Sequence, residues 1–493
     1  MQENRRMEVV TFIHTSGEDT EVVYTPLIPI GMIGLASFLE NNHIRTRIVN
    51  LELERALDPG FDFIKHLKQN HRKIVCLSLH WHSQSARVVQ VCRKIKTALP
   101  DSKIVLGGFT ASYFAREILQ NFSMIDFIIA GESEEPLLKL MTELLSGGNN
   151  FGQVPNLVWR KNQTVIVNSE KYNTPQEIVD GLEFGNFALM KSYRQYFRID
   201  FRNRKEKFLS NDQPVFYYNC GRGCPVNCSF CGGSNISQRM INKRTEVLWI
   251  GHDAVMRELK RVHDQYGITR WHTSFDPFPD RSYYVELFQR IRSEQLEFHL
   301  GFECWSLPSR EFIDEFSRTF NPRSKLEISP ECGSNEIRRK NKGYYYSNED
   351  LIKTLEYIQS KKIPMNIFLS AGLAFETMAH VRKTLQLIQV IRRKIPTASI
   401  KVFGIEMEPG APWYLNPQQY GIELKRKNFL DFYERHKRHG SLGYRSREFA
   451  GQDIKKLIDL YNSYNHDLMK KYRVSAPRDE ATARGAYDKM GRV

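Results

Sequence analysis

The sequence lacks any apolar run of the roughly 18 residues that a membrane-spanning helix needs, so we expect no membrane span. It also lacks internal repeats and low-complexity segments, which excludes a repeat architecture. Residues 1–6 are polar and lead into a strand-like run, so we expect no signal peptide and a cytoplasmic protein. The 493 residues are 41% hydrophobic and 26% charged, which is a globular composition and predicts two or three domains.

Acidic residues are in deficit, with 56 against 71 basic residues and a formal net charge of +15. A basic balance suits nucleic acid or anionic ligands. Part of the excess lies in residues 425–427 and 435–438, which is typical of a solvated basic helix face. We favour the solvated face and do not expect nucleic acid as a partner.

The first 150 residues alternate between short apolar strands and amphipathic helices, which predicts a doubly wound, Rossmann-like parallel sheet. Ligands of such sheets bind at the carboxyl ends of the strands, where glycines let a backbone approach a large ligand. The predicted strands are 9–14, 46–50, 74–79, 104–106 and 127–130.

Residues 151–205 are less regular and are predicted to be a connector, with a hairpin formed by 158–160 and 164–168. The alternation resumes over 206–420 with about six strand–helix units, which predicts a partial (β/α)6 barrel. Residues 421–493 are predicted to form a basic, helical C-terminal region. The predicted barrel strands are 215–218, 270–274, 297–304, 326–328, 365–370 and 400–406.

Four of the eight cysteines lie within twelve residues, in a glycine-rich loop after the first barrel strand. Such a cluster in a cytosolic chain indicates metal binding or catalysis. Cys224, Cys228 and Cys231 have C-x3-C-x2-C spacing, and three thiolates on a 4Fe-4S cluster leave one iron open for chemistry. Zinc held by these three and Cys220 is the alternative, but no second cysteine or histidine pair follows at zinc-finger spacing. Cys220 is otherwise a packing residue.

This spacing, with the aromatic Phe230 before the last cysteine, resembles the signature of radical S-adenosylmethionine enzymes. The resemblance implies that the open iron binds the methionine part of S-adenosylmethionine and that a 5'-deoxyadenosyl radical forms. It also implies that Phe230 lies near the adenine. A non-catalytic iron-sulfur electron carrier is an alternative that leaves the later barrel segments unexplained.

Three later segments also resemble the family. They are residues 273–276, 329–334 and 372–377, at the ends of the second, fourth and fifth barrel strands. Glu331 would touch the ribose or the amino group of the cofactor, and its alternative role is a strand-end salt bridge. Cys332 stands where serine is frequent and is taken as non-ligating. The S-adenosylmethionine contacts implied by the resemblance are Phe230, Ser274, Phe275, Asp276, Ser329, Glu331, Gly372 and Leu373.

Three segments of the N-terminal region, 29–36, 107–109 and 131–134, resemble the cobalamin-binding domain of cobalamin-dependent radical enzymes. The D-x-H-x-x-G motif, whose histidine binds cobalt in other cobalamin proteins, is missing. Trp81 would cover the lower face of the corrin, with His82 as an alternative cobalt ligand. A domain that binds no corrin is the structural alternative. The implied cobalamin contacts are Ile30, Gly31, His80, Trp81, His82, Ser83, Gly107, Gly108, Phe109, Gly131 and Glu132.

The resemblance as a whole implies a methyltransferase that uses a 4Fe-4S cluster, S-adenosylmethionine and cobalamin on an unactivated carbon of a small-molecule or peptide precursor. One alternative function is ring contraction or cyclisation with the same cofactors. Another is that of an RNA-modifying methylthiotransferase, which would need three N-terminal cysteines for a second cluster, whereas the N-terminal region offers only Cys76 and Cys92. Electrons would come from a donor such as flavodoxin or ferredoxin. The sequence names neither the substrate nor a catalytic residue.

Overall fold

The structure is a computed structural model of the chain. The residues that it describes are 10–15, 28–69, 73–197, 214–434 and 442–472. The chain divides into two compact units. The first unit comprises Met1–Asp200, Arg239–Arg244 and Lys427–Arg438. The second unit comprises Phe201–Gln238, Thr245–Arg426 and His439–Val493.

Strands and helices alternate along most of the chain. In chain order the strands β1 to β17 are Val10–His14, Thr46–Asn50, Ile74–Ser78, Lys103–Gly107, Phe127–Ile129, Leu157–Lys161, Thr164–Val167, Phe216–Tyr217, Gly221–Arg222, Leu248–Trp249, Arg270–Thr273, His299–Cys304, Lys325–Glu331, Met365–Ala371, Ser399–Gly404, Glu423–Leu424 and Tyr444–Arg445. The helices α1 to α19 are Ile30–Asn41, Leu51–Leu57, Phe63–Gln69, Ser85–Ala98, Phe109–Tyr113, Ala115–Asn121, Glu134–Ser146, Gln176–Gly181, Tyr193–Tyr196, Asn235–Ser237, His252–Tyr266, Ser282–Ser293, Arg310–Thr319, Asn335–Asn341, Asn348–Ser360, Met378–Lys394, Pro412–Leu415, Phe429–Tyr433 and Gly451–Lys471. Among the described residues, no helix is both long enough and apolar enough to cross a bilayer.

The first unit is built on a sheet whose described strands run in the order β2-β1-β3-β4-β5-β6-β7. Strands β1 to β5 are parallel, and helices connect them, which confirms the predicted doubly wound sheet. Their residues are mostly buried, as expected for parallel strands covered on both faces.

The predicted hairpin forms and extends this sheet. Strand β6 pairs antiparallel with β5, and β7 pairs antiparallel with β6. The turn residues Asn162 and Gln163 have φ of +47° and +68°, as the turns that match the twist of a hairpin require. The hairpin lies within the predicted connector 151–205, so part of that segment belongs to the N-terminal sheet.

The first unit also contains helix α18, which comes from the predicted C-terminal helical region. Its Phe429 and Phe432 rings lie 5.7 and 5.6 Å from the ring of Phe114. Phe432 also contacts His82, with ring centroids 5.2 Å apart. The backbone N–H of Phe429 donates to Glu117 at 2.8 Å. The helix therefore buries aromatic surface next to the loop that follows β3.

The second unit is a sheet of parallel strands in the order β8-β11-β12-β13-β14-β15. The order follows the chain and helices separate the strands, so the described strands form the predicted partial (β/α)6 barrel. Helix α19 packs outside it, where Asn465 accepts a hydrogen bond from Arg392 of α16 at 2.5 Å. This arrangement brings six carboxyl strand ends to one edge.

Strand β13 contains a bulge between Ile328 and Glu331. Glu331 has φ of +64°, a left-handed conformation that is uncommon for a residue with a side chain. The bulge shifts the register at the carboxyl end of the strand. Glu331 there accepts a hydrogen bond from the Ser370 hydroxyl of β14 at 2.6 Å.

Candidate active site

The cysteine loop begins where β8 ends. Asn219 anchors this point, because its side-chain oxygen accepts a hydrogen bond from the backbone N–H of Ser274, just after β11, at 2.9 Å. The next residues form β9, which pairs antiparallel with β10. Gly223 then takes φ of +94°, which favours glycine. The loop thus starts at the carboxyl edge of the barrel, where ligands of such barrels bind.

Three cysteines of the loop are partly exposed, and backbone donors reach two of their sulfurs. The N–H of Gly343 lies 3.2 Å from the Cys228 sulfur, and the N–H of Gly233 lies 3.3 Å from the Cys231 sulfur. Hydrogen bonds to the sulfurs help to set the reduction potential of iron-sulfur clusters.

Burial disfavours the charged thiolate form of two cysteines of the loop. Burial raises the pKa of Cys224 to about 11. Burial also raises the pKa of Cys231 well above its ordinary value, and the nearby Glu408 and Cys228 raise it further. Three bare thiolates would repel one another here, so bound iron would stabilise the deprotonated form.

Distant segments hold the loop in place. Ser229 donates from its N–H and from its hydroxyl to Asn341, at 2.8 and 2.6 Å. The N–H of Gly232 donates to Glu408 at 2.6 Å, and the side-chain amide of Asn235 donates to the carbonyl of Cys224 at 2.8 Å. Asn341 and Glu408 come from distant parts of the barrel, and their contacts with the loop were not predicted from the sequence.

The spacing of the cysteines fits a cluster better than a single zinc ion. Zinc–sulfur bonds of about 2.3 Å in a tetrahedron bring ligand sulfurs to roughly 3.8 Å from one another. Among the described residues, one group of three metal-ligating side chains has all its donor atoms within 4.8 Å of one another, namely His272, Glu303 and Glu327. The sulfurs of the three cysteines are not that close together. A cluster binds each thiolate through a different iron and tolerates wider spacing.

Cys220 differs from these three cysteines. It is fully buried, and the side chains of Tyr283 and Tyr284 lie close to its thiol. Burial raises the pKa of Cys220. Cys332 is also buried, in a cluster with Ile337 and Leu373. Both have the surroundings of packing residues.

Two of the residues expected to contact S-adenosylmethionine lie together. Phe230 packs against the cluster that contains Leu373 and Cys332. The Phe230 ring also meets Trp413 edge-on, with centroids 6.3 Å apart. These side chains form an apolar surface beside the cysteine loop.

Gly372 shapes the backbone next to this surface. It takes φ of +91°, and a side chain there would collide with Tyr444 and Ile454. Its N–H donates to Glu376 at 2.9 Å, and its carbonyl accepts from the Tyr444 hydroxyl at 2.7 Å. Burial raises the pKa of Glu376 to about 7.

Asp276 follows β11 and uses its two carboxylate oxygens differently. Its Oδ2 accepts from Arg281 at 2.6 Å and from the N–H of Trp305 at 2.7 Å. Its Oδ1 is buried and has no hydrogen-bond partner among the described residues. Burial raises the pKa of Asp276 to about 6, against the opposing effect of Arg281. Ser274 and Phe275 precede it, and the Ser274 carbonyl accepts from the Trp305 indole at 2.9 Å.

Glu331 forms the salt bridge that the sequence analysis gave as its alternative role. The Lys342 ammonium lies 3.5 Å from Glu331 Oε1, and both side chains are buried. Burial lowers the pKa of Lys342, but Glu331, Tyr346 and Cys228 together outweigh burial and raise that pKa. Ser329 sits at the bulge that precedes Glu331. An ion pair does not prevent Glu331 from accepting a further hydrogen bond, because a carboxylate has several acceptor positions.

In the first unit, the glycines after β4 have different surroundings. A side chain at Gly107 would meet nothing within 4 Å, whereas one at Gly108 would collide with the backbone of Leu79 and His80. Gly108 has φ of +105° and is followed by Phe109. Gly31, in the first turn of α1 after Ile30, also faces open space. Open glycines at this edge leave room for a large ligand.

The loop after β3 exposes the rings of His80 and Trp81 and buries the ring of His82. Trp81 is 59% exposed, whereas His82 is 8% exposed and packs on Phe432. The Gln84 side chain holds the loop by accepting from the N–H groups of His80 and Trp81, at 3.1 and 2.9 Å. Ser83 lies within this turn. The loop therefore presents Trp81 rather than His82 to a ligand.

Glu132, expected to contact cobalamin, is part of a buried network. It accepts two hydrogen bonds from Arg244, at 2.6 and 2.7 Å, and one from the N–H of Thr174 at 2.7 Å. Gly131 before it has φ of +119°. These contacts fix the loop after β5.

Family comparisons agree with this division of the chain. Residues 218–388 match the model of the Radical SAM superfamily, and residues 19–141 match the model of the B12 binding domain. The chain thus carries the two domains that together characterise cobalamin-dependent radical S-adenosylmethionine enzymes, which confirms the resemblance seen in the sequence.

The chain is also similar to particular relatives and solved structures. The hopanoid C-3 methylase of Methylococcus capsulatus is 25% identical over 255 residues, which cover 51% of this chain and 44% of the relative. The chain therefore spans less than half the length of that relative. The methyltransferase TsrM of Kitasatospora setae, solved with cobalamin and a [4Fe-4S] cluster, has a TM-score of 0.64 at 15% identity and covers 85% of this chain and 77% of TsrM. The cobalamin-dependent radical enzyme OxsB has a TM-score of 0.68 at 11% identity, with 98% and 71% covered. These two structures show a shared fold.

Proposed function

We propose that this chain is a cobalamin-dependent radical S-adenosylmethionine methyltransferase that acts on an unactivated carbon of a small-molecule or peptide precursor. The observation that carries the proposal is the partly exposed cysteine triad at the carboxyl edge of a partial barrel, in one chain with a B12-binding domain. The methylase and methyltransferase relatives support the type of reaction. Ring contraction or cyclisation would use the same two domains.

Cys224, Cys228 and Cys231 would hold the cluster. When bound, the cluster supplies the electron that cleaves S-adenosylmethionine, and cobalamin supplies the methyl group that is transferred. The amides of Gly233 and Gly343 would stabilise negative charge on two of the sulfurs by donating hydrogen bonds to them. This assignment leaves one iron for the amino and carboxylate groups of S-adenosylmethionine.

The proposed S-adenosylmethionine site combines an apolar surface with two carboxylates. Phe230 and Leu373 would contact the adenine through their packed surface. Oδ1 of Asp276 would accept a hydrogen bond from the cofactor, because it has no partner among the residues that the structure describes. Glu331 would accept from the ribose or the amino group. Ser274, Phe275, Ser329 and Gly372 would shape the backbone around them.

The proposed corrin site follows the open edge of the first sheet. Trp81 would cover the lower face of the ring, since its large aromatic side chain is exposed. His82 is buried and packs on Phe432, so we propose that His82 does not bind cobalt. Glu132 would act indirectly, by holding its loop through Arg244. The backbones at Ile30, Gly31, His80, Ser83, Gly107, Gly108, Phe109 and Gly131 would surround the rest of the ligand.

The proposal predicts that both cofactors bind stoichiometrically. We would reconstitute the protein anaerobically with iron, sulfide and hydroxocobalamin, desalt it, and record its ultraviolet-visible spectrum. Retained corrin bands beside the iron-sulfur shoulder are expected. A Cys228→Ala control should lose the shoulder and keep the corrin bands, because the two sites are built from different units. Iron-sulfur absorbance without retained corrin would refute the methyltransferase proposal.

A further inference from the structure

Three adjacent strands of the barrel place His272, Glu303 and Glu327 side by side. Glu303 of β12 is in register with Glu327 of β13, and His272 of β11 is in register with Gly301 of β12. Their donor atoms all lie within 4.8 Å of one another. We call these three residues the wall cluster. Neither the cysteine loop nor the proposed S-adenosylmethionine contacts include them.

The wall cluster faces the interior of the barrel. Phe302, next to Glu303, contacts the rings of Tyr284 and Phe312 on the outer helices, with centroids 4.7 and 5.0 Å away. Side chains alternate between the two faces of a strand, so Glu303 points the other way. The alternation places Glu327 and His272 on the same inner face.

The local backbone is fitted to the histidine. A side chain at Gly301 would place its first carbon 2.6 Å from His272 Nδ1, so glycine is needed there to make room for the imidazole. His272 Nε2 lies 3.0 Å from Glu303 Oε1. This hydrogen bond positions the carboxylate of Glu303, while 42% of the Glu303 side chain stays exposed.

Glu327 already has cationic and hydrogen-bonding partners. The Lys325 ammonium lies 2.8 Å from Glu327 Oε1, and the Asn366 amide donates to the same oxygen at 3.1 Å. Burial alone would raise the pKa of Glu327, but Lys325, His272 and Lys401 outweigh it and lower that pKa. A metal ion would have to displace the ammonium, so the arrangement disfavours a metal site.

An aromatic wall lies on β14 and β15. The rings of Phe368 and Phe403 are 5.8 Å apart, and Phe403 is 40% exposed. Phe403 points inward, because its neighbour Gly404 lies against Ile454 of the outer helix α19. Strand β15 is the edge strand of the six-stranded sheet, so the partial barrel is open beside Phe403. An exposed phenylalanine on this inner face indicates space for an apolar ligand group.

The two walls lie at different positions along the strands. Glu303 is in register with Glu327, four residues before the carboxyl end of β13, whereas Phe403 is the last residue but one of β15, near the carboxyl edge. The cysteine loop begins at the same edge of the sheet. A molecule held by the two walls would therefore reach the end of the barrel where the radical chemistry is proposed.

We propose that the barrel interior binds a substrate that carries a protonated amine next to an aromatic or bulky apolar group. The inference rests on the proposed function, and it names the class of substrate. The amine donates to Glu303, whose carboxylate His272 holds in place, and the apolar group lies against Phe403 and Phe368. A charge-assisted hydrogen bond to a carboxylate contributes more than a neutral one, so the site discriminates against uncharged analogues.

The test is a binding measurement that needs no turnover. We would titrate the cofactor-loaded full chain with phenethylamine, phenethyl alcohol and phenylpropionate by isothermal calorimetry. Phenethylamine should bind at least about tenfold more tightly than the alcohol, and phenylpropionate should bind weakest. Equal binding of all three, or a preference for phenylpropionate, would overturn the proposal.

Variants connect the binding to the two walls. Glu303→Gln and Phe403→Ala should each weaken phenethylamine binding by about tenfold or more, while Glu311→Gln, an exposed glutamate on α13, should not change it. If Glu303→Gln loses iron or fails to fold, Phe403→Ala still tests the aromatic wall. Unchanged binding in both variants would contradict the proposal. Saturable zinc binding that Glu303→Gln and His272→Ala each abolish would identify a metal site instead.

Corrin retention and amine binding are measured separately, so one can fail without the other. Loss of corrin retention in the wild type would count against the methyltransferase, but amine-selective binding would still report on the barrel interior. Conversely, a protein that retains both cofactors and binds the amine no better than the alcohol would keep the proposed function and lose the substrate class.

Discussion

At the residue scale, the four clustered cysteines separate by their surroundings. Cys224, Cys228 and Cys231 are partly exposed in a loop with backbone donors aimed at two of the sulfurs. Cys220, four residues before the first of them, is fully buried against tyrosines. A thiol can bind iron only where the metal can reach it, so the partial exposure of these three cysteines supports the proposal that they are the ligands.

Removing a cysteine of the triad should abolish cluster assembly and turnover. Cys224→Ala, Cys228→Ala and Cys231→Ala each leave two thiolates, too few to hold the cluster at three irons. Iron content and the absorbance of the reconstituted protein check this. Cys220→Ala is the matched control and should retain the cluster, since this thiol contacts Tyr283 and Tyr284. A Cys220 variant without iron would contradict the ligand assignment.

The sequence predicted the triad because its ligands lie within eight residues of one another. The same short range identified Phe230. The contacts of the loop with Asn341 and Glu408 span more than 100 residues, and only the fold brings them together. The wall cluster was missed for the same reason, since each member comes from a different strand. Its one sequence signal is polar residues alternating with apolar ones in strands of a barrel.

At the element scale, the segment after β14 depends on a buried carboxylate. Glu376 is 2% exposed and closes the turn by accepting from the N–H of Gly372 at 2.9 Å. Tyr444 holds the other side of the same glycine. Burial raises the pKa of Glu376 from 4.5 to about 7, so the charged form is the unfavourable one in the folded protein.

This shift predicts a pH-dependent stability difference. The folded protein keeps a proton on Glu376 that the unfolded chain releases, so this stabilisation is complete below pH 4.5 and is lost as the pH rises through about 7. Glu376→Gln stays neutral, so relative to wild type it should gain up to about 3 kcal/mol of unfolding free energy between pH 4.5 and pH 8.

Denaturant unfolding of the two full-length proteins at both pH values measures this difference. The exposed Glu311→Gln variant corrects for general effects of charge removal. A wild-type to Glu376→Gln difference that is the same at both pH values would disprove the linkage.

Element types and approximate bounds were predictable because apolar periodicity is local. Strand β2 was predicted at 46–50 and is Thr46–Asn50. The pairing of the 157–167 hairpin with β5 was not predicted, because pairing depends on distant partners. The bulge at Glu331 was also missed, since a positive φ on a glutamate has no compositional signal.

At the scale of the whole molecule, the first unit is discontinuous in sequence. Residues Lys427–Arg438 belong to it although the second unit separates them from the rest. Helix α18 contributes aromatic rings that pack on Phe114 and Phe122. The sequence predicted a helix in this region, but amphipathic periodicity does not say which unit the helix joins.

The aromatic contacts of α18 should stabilise the loop that presents Trp81. Phe432 is 1% exposed, and Phe432→Ala should cost the first unit about 3–5 kcal/mol. Hydrogen exchange of the full chain should then accelerate in peptides that cover 80–98 and 110–122. Leu430→Ala removes a side chain from the same helix that is 40% exposed, and it should change little. Equal protection in the two variants would show that α18 does not support the loop.

The late arrival of α18 sets an order of events during protein synthesis. The N-terminal segment of the first unit ends at Asp200, and α18 begins 229 residues later, at Phe429. At about 5–20 residues per second, the ribosome needs roughly 10–50 s to make the chain between them. Throughout that interval the nascent B12-binding domain lacks the rings that cover Phe114, Phe122 and His82. An aromatic surface of the nascent chain therefore stays uncovered until α18 is synthesised. A chaperone that recognises aromatic side chains would bind the nascent chain there.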